Sequence, residues 1–164
     1  MLAYTICFIK KGDEILMLNR EKSSWMGMWN GVGGKIEKNE TPHDCILREI
    51  KEETGIQVSK VDYKGQVTWH DGKIYLGGMH TYMVELPETY DSKAPIKTDE
   101  GILDWKKESW ILDEENLGVV GNIKYFLPIM LNDSNVYDHQ FVYEGMKIVD
   151  YRAETLKEQV LSNY

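Results

Sequence analysis

The sequence predicts an α/β or α+β fold in which strands alternate with a few helices. One observation is a clearly delimited helix from Thr41 to Gly55. A second is a series of short apolar segments, several of them alternating as half-buried strands do, separated by Gly, Pro and Asp turns. A third is the length of 164 residues with 42% hydrophobic residues, which suits one good core. We therefore expect residues 1–164 to form a single domain.

The first elements are a predicted hairpin that leads into a glycine-rich loop. Ala3 to Ile9 has the composition of a strand buried on both faces, Lys11 to Asp13 is a turn, and Glu14 to Asn19 returns as a second strand. Arg20 to Met28 is a predicted loop, whose basic residues either meet phosphates or are simply solvated. Trp29 to Lys35 reads as a short strand that runs into a loop where glycines allow close backbone approach.

The helix that follows carries both of its end signals. Thr41 is a good N-cap, Pro42 suits the first helical position, and Asp44 complements the helix dipole in the first turn. Gly55 fits the left-handed position after the last turn. This helix is the element on which the functional argument depends.

The second half of the chain alternates strands with turns and one longer helix. The predicted elements are, in order, strands Gln57–Val67 and Lys73–Leu86, a loop Pro87–Lys97, a turn Thr98–Gly101, a strand Leu103–Trp110, an acidic turn or one-turn helix Leu112–Leu117, a helix Asn122–Leu131 and a hairpin of Gln140–Tyr143 with Lys147–Tyr151. Gly65 interrupts the first of these strands, and Gly77-Gly78 predicts a bulge in the second. Pro128 delays or kinks the helix, and the tail from Arg152 is predicted to be helical or frayed.

Composition and charge exclude several classes of function. A net charge of −8 makes the chain a poor candidate for binding long nucleic acid. Two cysteines, Cys7 and Cys45, form no CxxC pair and predict two free thiols in a reducing compartment. Met1 to Lys10 lacks the pattern of a signal peptide, and no stretch approaches the roughly 20 apolar residues of a membrane span. We expect a cytoplasmic monomer or homodimer.

Three carboxylates crowd one side of the predicted helix. At about 100° per residue, Glu49, Glu52 and Glu53 fall together and repel one another. Ile46 and Ile50 mark the adjacent core-facing side, so the carboxylates lie at the rim of a core. One interpretation is a solvated acidic face; the other is a site for a hard divalent cation with oxygen ligands.

The surrounding pattern resembles a complete Nudix box. It runs from Gly34 to Ile56 as Gly, five residues, Glu, seven residues, Arg-Glu, an aliphatic, any residue, Glu-Glu, any residue, Gly and an aliphatic. Every fixed position is matched, including Glu40, Arg48 and Gly55. Resemblance to the Nudix family implies a mixed β-sheet sandwiched between helices, an α/β/α arrangement.

The resemblance also implies a chemistry and a metal. Nudix proteins hydrolyse nucleoside diphosphates linked to a further group, commonly with Mg²⁺ and sometimes with Mn²⁺. By position, the three box glutamates and the Gly33 carbonyl would bind metal, one glutamate would orient or deprotonate water, and Arg48 would pair with Glu40 or Glu49. Glu100 is the candidate for a further acid from outside the box; the alternative is an ordinary turn acid.

Segments outside the box resemble the MutT-type sanitising enzymes of this family. Met28 to Lys35 and Gly121 to Pro128 carry that likeness. It implies that Asn30 and Asn122 contact a purine base, although Asn122 could instead cap the helix that it precedes. Arg20 and Lys35 are the candidates for contacts with phosphate. Other aromatic candidates are Trp25 for stacking and Tyr4, for which core packing is the preferred role.

The leading functional hypothesis is a Mg²⁺-dependent nucleoside triphosphate diphosphatase. It would convert oxidised purine dNTPs such as 8-oxo-dGTP to the monophosphate and pyrophosphate, cleansing the nucleotide pool in the service of DNA repair. Rival hypotheses are hydrolysis of ADP-ribose, a dinucleoside polyphosphate or an RNA 5′ end, and a nucleotide-sensing module that has lost catalysis. Since sensors of this kind usually lose box glutamates and this chain has all of them, the enzyme is the better interpretation.

Overall fold

The computed structural model describes residues 2–157, and within them the chain forms ten strands and three helices. The strands are β1 (Tyr4–Lys11), β2 (Glu14–Arg20), β3 (Trp29–Asn30), β4 (Val32–Lys35), β5 (Asp62–Asp71), β6 (Ile74–Leu86), β7 (Ile96–Lys97), β8 (Gly101–Lys107), β9 (Tyr137–Glu144) and β10 (Lys147–Thr155). The helices are α1 (Pro42–Thr54), α2 (Glu108–Ile111) and α3 (Ile123–Asn132).

All of these strands belong to one mixed sheet. Its order is β10-β9-β5-β6-β1-β2-β8-β7, with β3 paired to β2 and β4 paired to β1. The pairs β1–β6 and β5–β9 are parallel, whereas the remaining neighbours are antiparallel. The central strand β1 therefore has β6 on one side and both β2 and β4 on the other.

The sheet lies between helices, as the family resemblance implied. Alternating side chains of β1 point to opposite faces, so that Ile6 and Phe8 join one core while Cys7 and Ile9 join the other. Helix α1 covers the second face through Ile46 and Ile50, and helix α3 covers the first face. The buried residues of α3 are Ile123, Phe126, Leu127 and Met130.

The end signals of α1 act as the sequence predicts. Thr41 has extended backbone geometry, and its hydroxyl accepts a hydrogen bond from the Asp44 N–H at 3.0 Å. Gly55 adopts φ 73° and donates its N–H to the Lys51 carbonyl at 2.9 Å. Each end is thereby satisfied locally, and an N-cap of this kind contributes about 1 kcal/mol. The helix places Glu53 on its buried side and leaves Glu52 exposed.

Several predicted elements differ from the structure, among them three whose bounds are set by strand pairing. The glycine-rich segment is strand β4, because Gly33 and Gly34 pair with Ile6 and Thr5 of β1. The strand expected at 57–67 begins at Asp62 and continues to Asp71, and the strand expected at 103–110 ends at Lys107, where the chain turns into α2. In each case pairing with a distant strand overrides the local pattern.

The bulge in β6 and the C-terminal hairpin agree with the prediction in part. The bulge expected at Gly77-Gly78 falls beside them, since Trp69 pairs with Gly77 and His70 with Tyr75. The closing hairpin is confirmed and is longer than predicted, so 152–155 is strand rather than helix; the end of the predicted tail, 158–164, lies outside the described residues. Both cysteines are free and buried. Among residues 2–157, no helix combines the length and the apolar character of a membrane span.

Candidate active site

Arg48 lies at the centre of a network of box carboxylates. Its Nε and Nη2 donate to the two oxygens of Glu40 at 2.7 and 2.9 Å, and its Nη1 donates to Glu49 at 2.8 Å and to Glu52 at 3.2 Å. Nη2 also donates to the Lys35 carbonyl at 3.2 Å. The two hydrogen bonds with Arg48 lower the pKa of Glu40 to about 2. The predicted pairing of Arg48 is therefore present with Glu40 and with Glu49 together.

Glu53 is the most enclosed of the box carboxylates. It is 8% exposed, and its Oε2 accepts a hydrogen bond from the Gly33 N–H at 3.1 Å. Burial raises the pKa of Glu53 to about 8, with further contributions from the negative charges of Glu49 and Glu100. Burial likewise raises the pKa of Glu49. Two adjacent carboxyl groups are thus held where their charged forms are disfavoured.

Two glycines allow these carboxylates to approach the sheet. A Cβ on Gly34 would collide with the carboxylate of Glu49, and a Cβ on Gly33 would collide with the Thr5 carbonyl of β1. Gly34 therefore gives Glu49 of α1 the space to lie against β4, and Gly33 allows β4 to approach β1. Glycine at these two positions, which predicted a loop, is thus explained by close packing.

The outer carboxylates are less tightly grouped. The Glu52 side chain is 60% exposed and pairs with Arg48. Glu100 lies close enough to Glu53 to raise its pKa, as expected for an acid that approaches the box from outside it. Within residues 2–157, no three His, Cys, Asp or Glu side chains converge in the arrangement of a metal site. Gly33 contacts the box through its N–H, which donates to Glu53.

A cavity of about 440 Å³ opens beside the box and is named the polar compartment. It is lined by Tyr4, Thr5, Ile6, Arg20, Ser24, Trp25, Asn30, Gly31, Gly33, Gly34, Trp69 and Met79. The charge of Arg20 partly offsets the rise that burial causes in the pKa of Glu53. Within residues 2–157, the buried Arg20 Nε has no hydrogen-bond partner. A buried donor without a partner is costly, so this guanidinium is suited to an anionic ligand.

A second cavity of about 450 Å³ continues from the first and is named the apolar compartment. Its lining is Ser24, Trp25, Asn30, Trp69, Leu76, Met79, Val120, Asn122, Tyr143, Gly145 and Met146. Five of these residues also line the polar compartment, namely Ser24, Trp25, Asn30, Trp69 and Met79. The two cavities therefore form one cleft, polar beside the box and mainly apolar away from it.

Asn30 and Asn122, which the family resemblance predicts as base contacts, both line the apolar compartment. The Gly31 N–H donates to Asn30 Oδ1 at 2.8 Å, which directs the Asn30 NH₂ group away from that contact. Asn122 makes no side-chain cap to α3, so the capping alternative is wrong. Burial raises the pKa of Tyr143, while a hydrogen bond with Asn122 lowers it, so the amide and the phenol are neighbours.

The structure does not bring every predicted residue into the cleft. The Lys35 side chain is exposed, and it is the Lys35 backbone carbonyl that contacts Arg48. Tyr4 is 44% exposed and lines the polar compartment, so the preference for core packing was wrong. Trp25 lines both compartments, as its stacking role would require.

Three further residues of the cleft lining were not predicted from the sequence. Trp69 and Met79 belong to β5 and β6, and Tyr143 belongs to β9. Alternation along each strand could have placed these side chains on one face. It could not have shown that β9 pairs with β5, which is what brings Tyr143 opposite Asn122.

Comparison with known proteins gives a consistent family. A family model of the NUDIX domain matches residues 1–129. The uncharacterized Nudix hydrolase YvcI of Bacillus subtilis is 26% identical over 155 residues, which is 92% of each chain. The NAD-capped RNA hydrolase NudC of Pseudomonas aeruginosa is 30% identical over 79 residues, and the match spans 28% of that relative's length.

A solved structure supports the same fold. The crystal structure of a mutator MutT protein from Bacillus halodurans superposes with a TM-score of 0.73, covering 94% of this chain and 98% of that one. Its sequence is 24% identical, so this likeness concerns the fold.

Proposed function

The chain belongs to the NUDIX domain family and, as a Nudix hydrolase, acts on phosphoanhydride bonds of nucleotide derivatives; from this premise we propose that it is a divalent-metal-dependent nucleoside triphosphate diphosphatase. The proposed substrates are purine dNTPs, oxidised ones such as 8-oxo-dGTP in particular. Water attacks the β-phosphorus, the bond from that phosphorus to the α–β bridging oxygen breaks, and the products are a nucleoside monophosphate and pyrophosphate.

The observation that carries this proposal is the two-part cleft. The polar compartment offers the Arg20 guanidinium and the Gly33-Gly34 backbone beside the carboxylates, which suits a polyphosphate. The apolar compartment offers the rings of Trp69 and Tyr143 together with the amides of Asn30 and Asn122, which suits a flat heterocycle with polar edges. A nucleotide has a polyphosphate at one end and a flat base at the other, so its two ends match the two compartments.

The donor atoms at the box are of the kind that a hard divalent cation takes, although within residues 2–157 their side chains do not converge on one point. Their donors are all oxygens, which Mg²⁺ and Mn²⁺ prefer. Burial and neighbouring negative charge raise the pKa of Glu53, and a cation would offset that repulsion. Glu49, Glu52 and Glu53, with Glu100 and the Gly33 carbonyl, are the proposed ligands. When bound, the metal would neutralise phosphate charge and activate water.

The side chains of the protein divide the remaining work. Arg48 fixes Glu49 through the hydrogen bond of 2.8 Å and is itself fixed by Glu40, so its role is to position the box. One of the box glutamates accepts the proton of the attacking water. Arg20 donates to phosphate oxygens, and Asn30 and Asn122 contact the edge of the base. Lys35 is proposed to approach phosphates only from the solvent side, since its side chain is exposed.

The test is a substrate panel with purified protein and Mg²⁺. Oxidised and normal dNTPs are compared by kcat/KM, and the monophosphate and pyrophosphate products are identified by chromatography. We expect at least about a tenfold preference for an oxidised purine, since polar contacts to a base edge discriminate well. Similar low turnover of all dNTPs would remove the sanitation claim while leaving the chemistry. Glu53→Gln protein serves as the inactive control.

A second candidate substrate class is favoured by the NudC relatives. Their shared segment of 79 residues is the observation behind it, so NAD, ADP-ribose, a dinucleoside polyphosphate and NAD-capped RNA belong in the same panel. A net charge of −8 disfavours long RNA. A nucleotide sensor without catalysis is the remaining alternative, and binding of nucleotides without turnover of any of them would favour it.

Further parts of the proposal concern the whole chain. We propose one domain over residues 1–164, in which β9 and β10 complete the sheet beyond the matched 1–129. The partners are small nucleotides, the protein is a monomer or homodimer, and the two free thiols suit a cytoplasmic location.

A further inference from the structure

Lys106 lies between two tryptophan rings away from the box. Its Nζ is 4.5 Å from the ring centroid of Trp29 and 5.0 Å from that of Trp110. The two rings meet edge to face, with centroids 6.2 Å apart and an interplanar angle of 88°. Asp104, two residues earlier on β8, pairs with the ammonium group at 3.2 Å. One cation thus contacts both rings and holds them against the end of β8.

Trp29 is also the backbone link between two walls of the cleft. Its N–H donates to the Gly118 carbonyl at 2.8 Å, and its carbonyl accepts from the Val120 N–H at 3.1 Å. On its other edge it pairs with Asn19 of β2. Val120 lines the apolar compartment, and Asn30 follows Trp29 directly. The position of Trp29 therefore sets the position of Asn30 and that of the segment 118–120.

We propose that Lys106 is a positioning residue for the apolar compartment. By fixing the Trp29 ring against Trp110, it fixes the backbone of Trp29, and through it the separation between Asn30 and the segment that leads to Asn122. This inference rests on the proposed function, since it concerns how the amides meet a base. Lys106 lines neither compartment, so its effect passes through Trp29.

The two ring contacts of Lys106 depend on its positive charge rather than on its size. A cation over an aromatic face is attracted by the ring, and here it faces two rings at once. A neutral side chain of the same length would keep the apolar contact and lose this attraction. Arginine would keep the attraction. Lys107, the next residue on β8, is exposed and provides a matched control.

The experiment compares Lys106→Met, Lys106→Arg and Lys107→Met in steady-state hydrolysis of the best nucleotide of the panel. Inorganic tripolyphosphate, which has no base, is measured as a competitive inhibitor of each protein. For Lys106→Met we expect KM to rise about fivefold to tenfold, the scale that two cation–π contacts can supply, with kcat within about twofold. The inhibition constant of tripolyphosphate is expected to stay unchanged. Lys106→Arg restores KM, and Lys107→Met leaves it as in the parent.

Several outcomes would overturn the inference. An unchanged KM in Lys106→Met would do so, as would a parallel rise of KM and of the tripolyphosphate constant, which would mean a general effect on the fold. Trp110→Leu is the second variant, and we expect it to change KM as Lys106→Met does. The double variant should show no further rise in KM. Additive changes in KM would mean that Lys106 and Trp110 act independently and would contradict the inference. Failure of the proposed function is distinguishable, since the parent protein would then hydrolyse no nucleoside triphosphate, whatever the variants do.

Discussion

Arg48 holds Glu40 by two parallel hydrogen bonds, from Nε to Oε1 at 2.7 Å and from Nη2 to Oε2 at 2.9 Å. The third nitrogen of the same guanidinium is 2.8 Å from Glu49. Glu40 comes from the loop before α1, whereas Glu49 lies on the helix, so one planar group joins the loop to the helix. Because a lysine has no such fork, this junction requires arginine.

Replacing Glu40 by Gln should loosen this junction. The variant loses the ionised acceptor for two hydrogen bonds, and we expect unfolding in urea to become easier by about 1.5–3 kcal/mol. We also expect kcat to fall by about tenfold, because Arg48 is then free to leave Glu49. Glu37→Gln is the control: its side chain is 70% exposed and 3.9 Å from Arg48, so both quantities should stay near those of the parent. Equal effects of the two substitutions would contradict the role given to Glu40.

A methyl group on Gly34 should displace Glu49. The Cβ of Gly34→Ala would occupy the space of the Glu49 carboxylate, which is the flexible end of its side chain and would have to move away. A shift of about 1 Å in a catalytic group reduces turnover by about a hundredfold, so we expect that loss in kcat. Gly121→Ala is the matched control, because no atom lies within 4 Å of a Cβ at that position. If both variants keep full activity, the packing of Glu49 against β4 is not required.

Helix α1 could be predicted almost residue by residue, because its signals are local. Thr41 and Gly55 act on the backbone beside them, and the order of Glu40 and Arg48 along the box fixes their contact once the helix forms. The prediction that Gly33-Gly34 form a loop failed for the opposite reason. Glycine in a sequence indicates a turn, but here its lack of a side chain serves a strand that packs under a helix.

The apolar compartment could be predicted only in part. Asn30 and Asn122 were found by resemblance, whereas the rings of Trp69 and Tyr143 were not found at all. These rings lie on strands far apart in the chain, and they line one cavity because β9 pairs in parallel with β5, with Trp69 opposite Phe141. Parallel pairing of distant strands leaves no local sequence signal.

Magnesium should stabilise the fold through Glu53. At a concentration about a hundredfold above its dissociation constant, a ligand of the folded state adds about 2.7 kcal/mol, which is about 5–10 °C in Tm for a chain of this size. We expect this shift in the parent and not in Glu53→Gln. The variant itself should fold, because a carboxyl with a pKa of about 8 is mostly neutral at pH 7 and resembles the amide.

Turnover should follow the same pattern. Because metal sites of this kind act as a unit, kcat of Glu53→Gln should fall by at least about a hundredfold. Glu115→Gln, at an exposed position remote from the box in sequence, is the control and should keep both the thermal shift and the turnover. A magnesium shift that survives in Glu53→Gln would remove this residue from the ligands.

Acid should destabilise the protein through its buried histidines. Burial lowers the pKa of His139 to about 4, and the ring is fully enclosed, with Nδ1 2.8 Å from the Tyr151 hydroxyl. In the unfolded chain the imidazole titrates near 6.5, so between about pH 6.5 and 4 the unfolded state binds a proton that the folded state does not. The stability contributed by the neutral ring is present above about pH 6.5 and is lost as the pH falls toward 4. The same sign holds for His80, whose pKa burial also lowers to about 4.

The measurement is the difference in unfolding free energy between His139→Phe and the parent at two pH values. Phenylalanine keeps the contacts with Phe126 and Tyr151 but cannot be protonated. At pH 5 the parent has lost about 2 kcal/mol relative to pH 7.5 through this one residue, so the variant should gain that amount on the parent between pH 7.5 and pH 5. A pH-independent difference for His139→Phe would contradict the prediction, because it would mean that the ring takes up its proton over the same pH range in the folded and the unfolded protein.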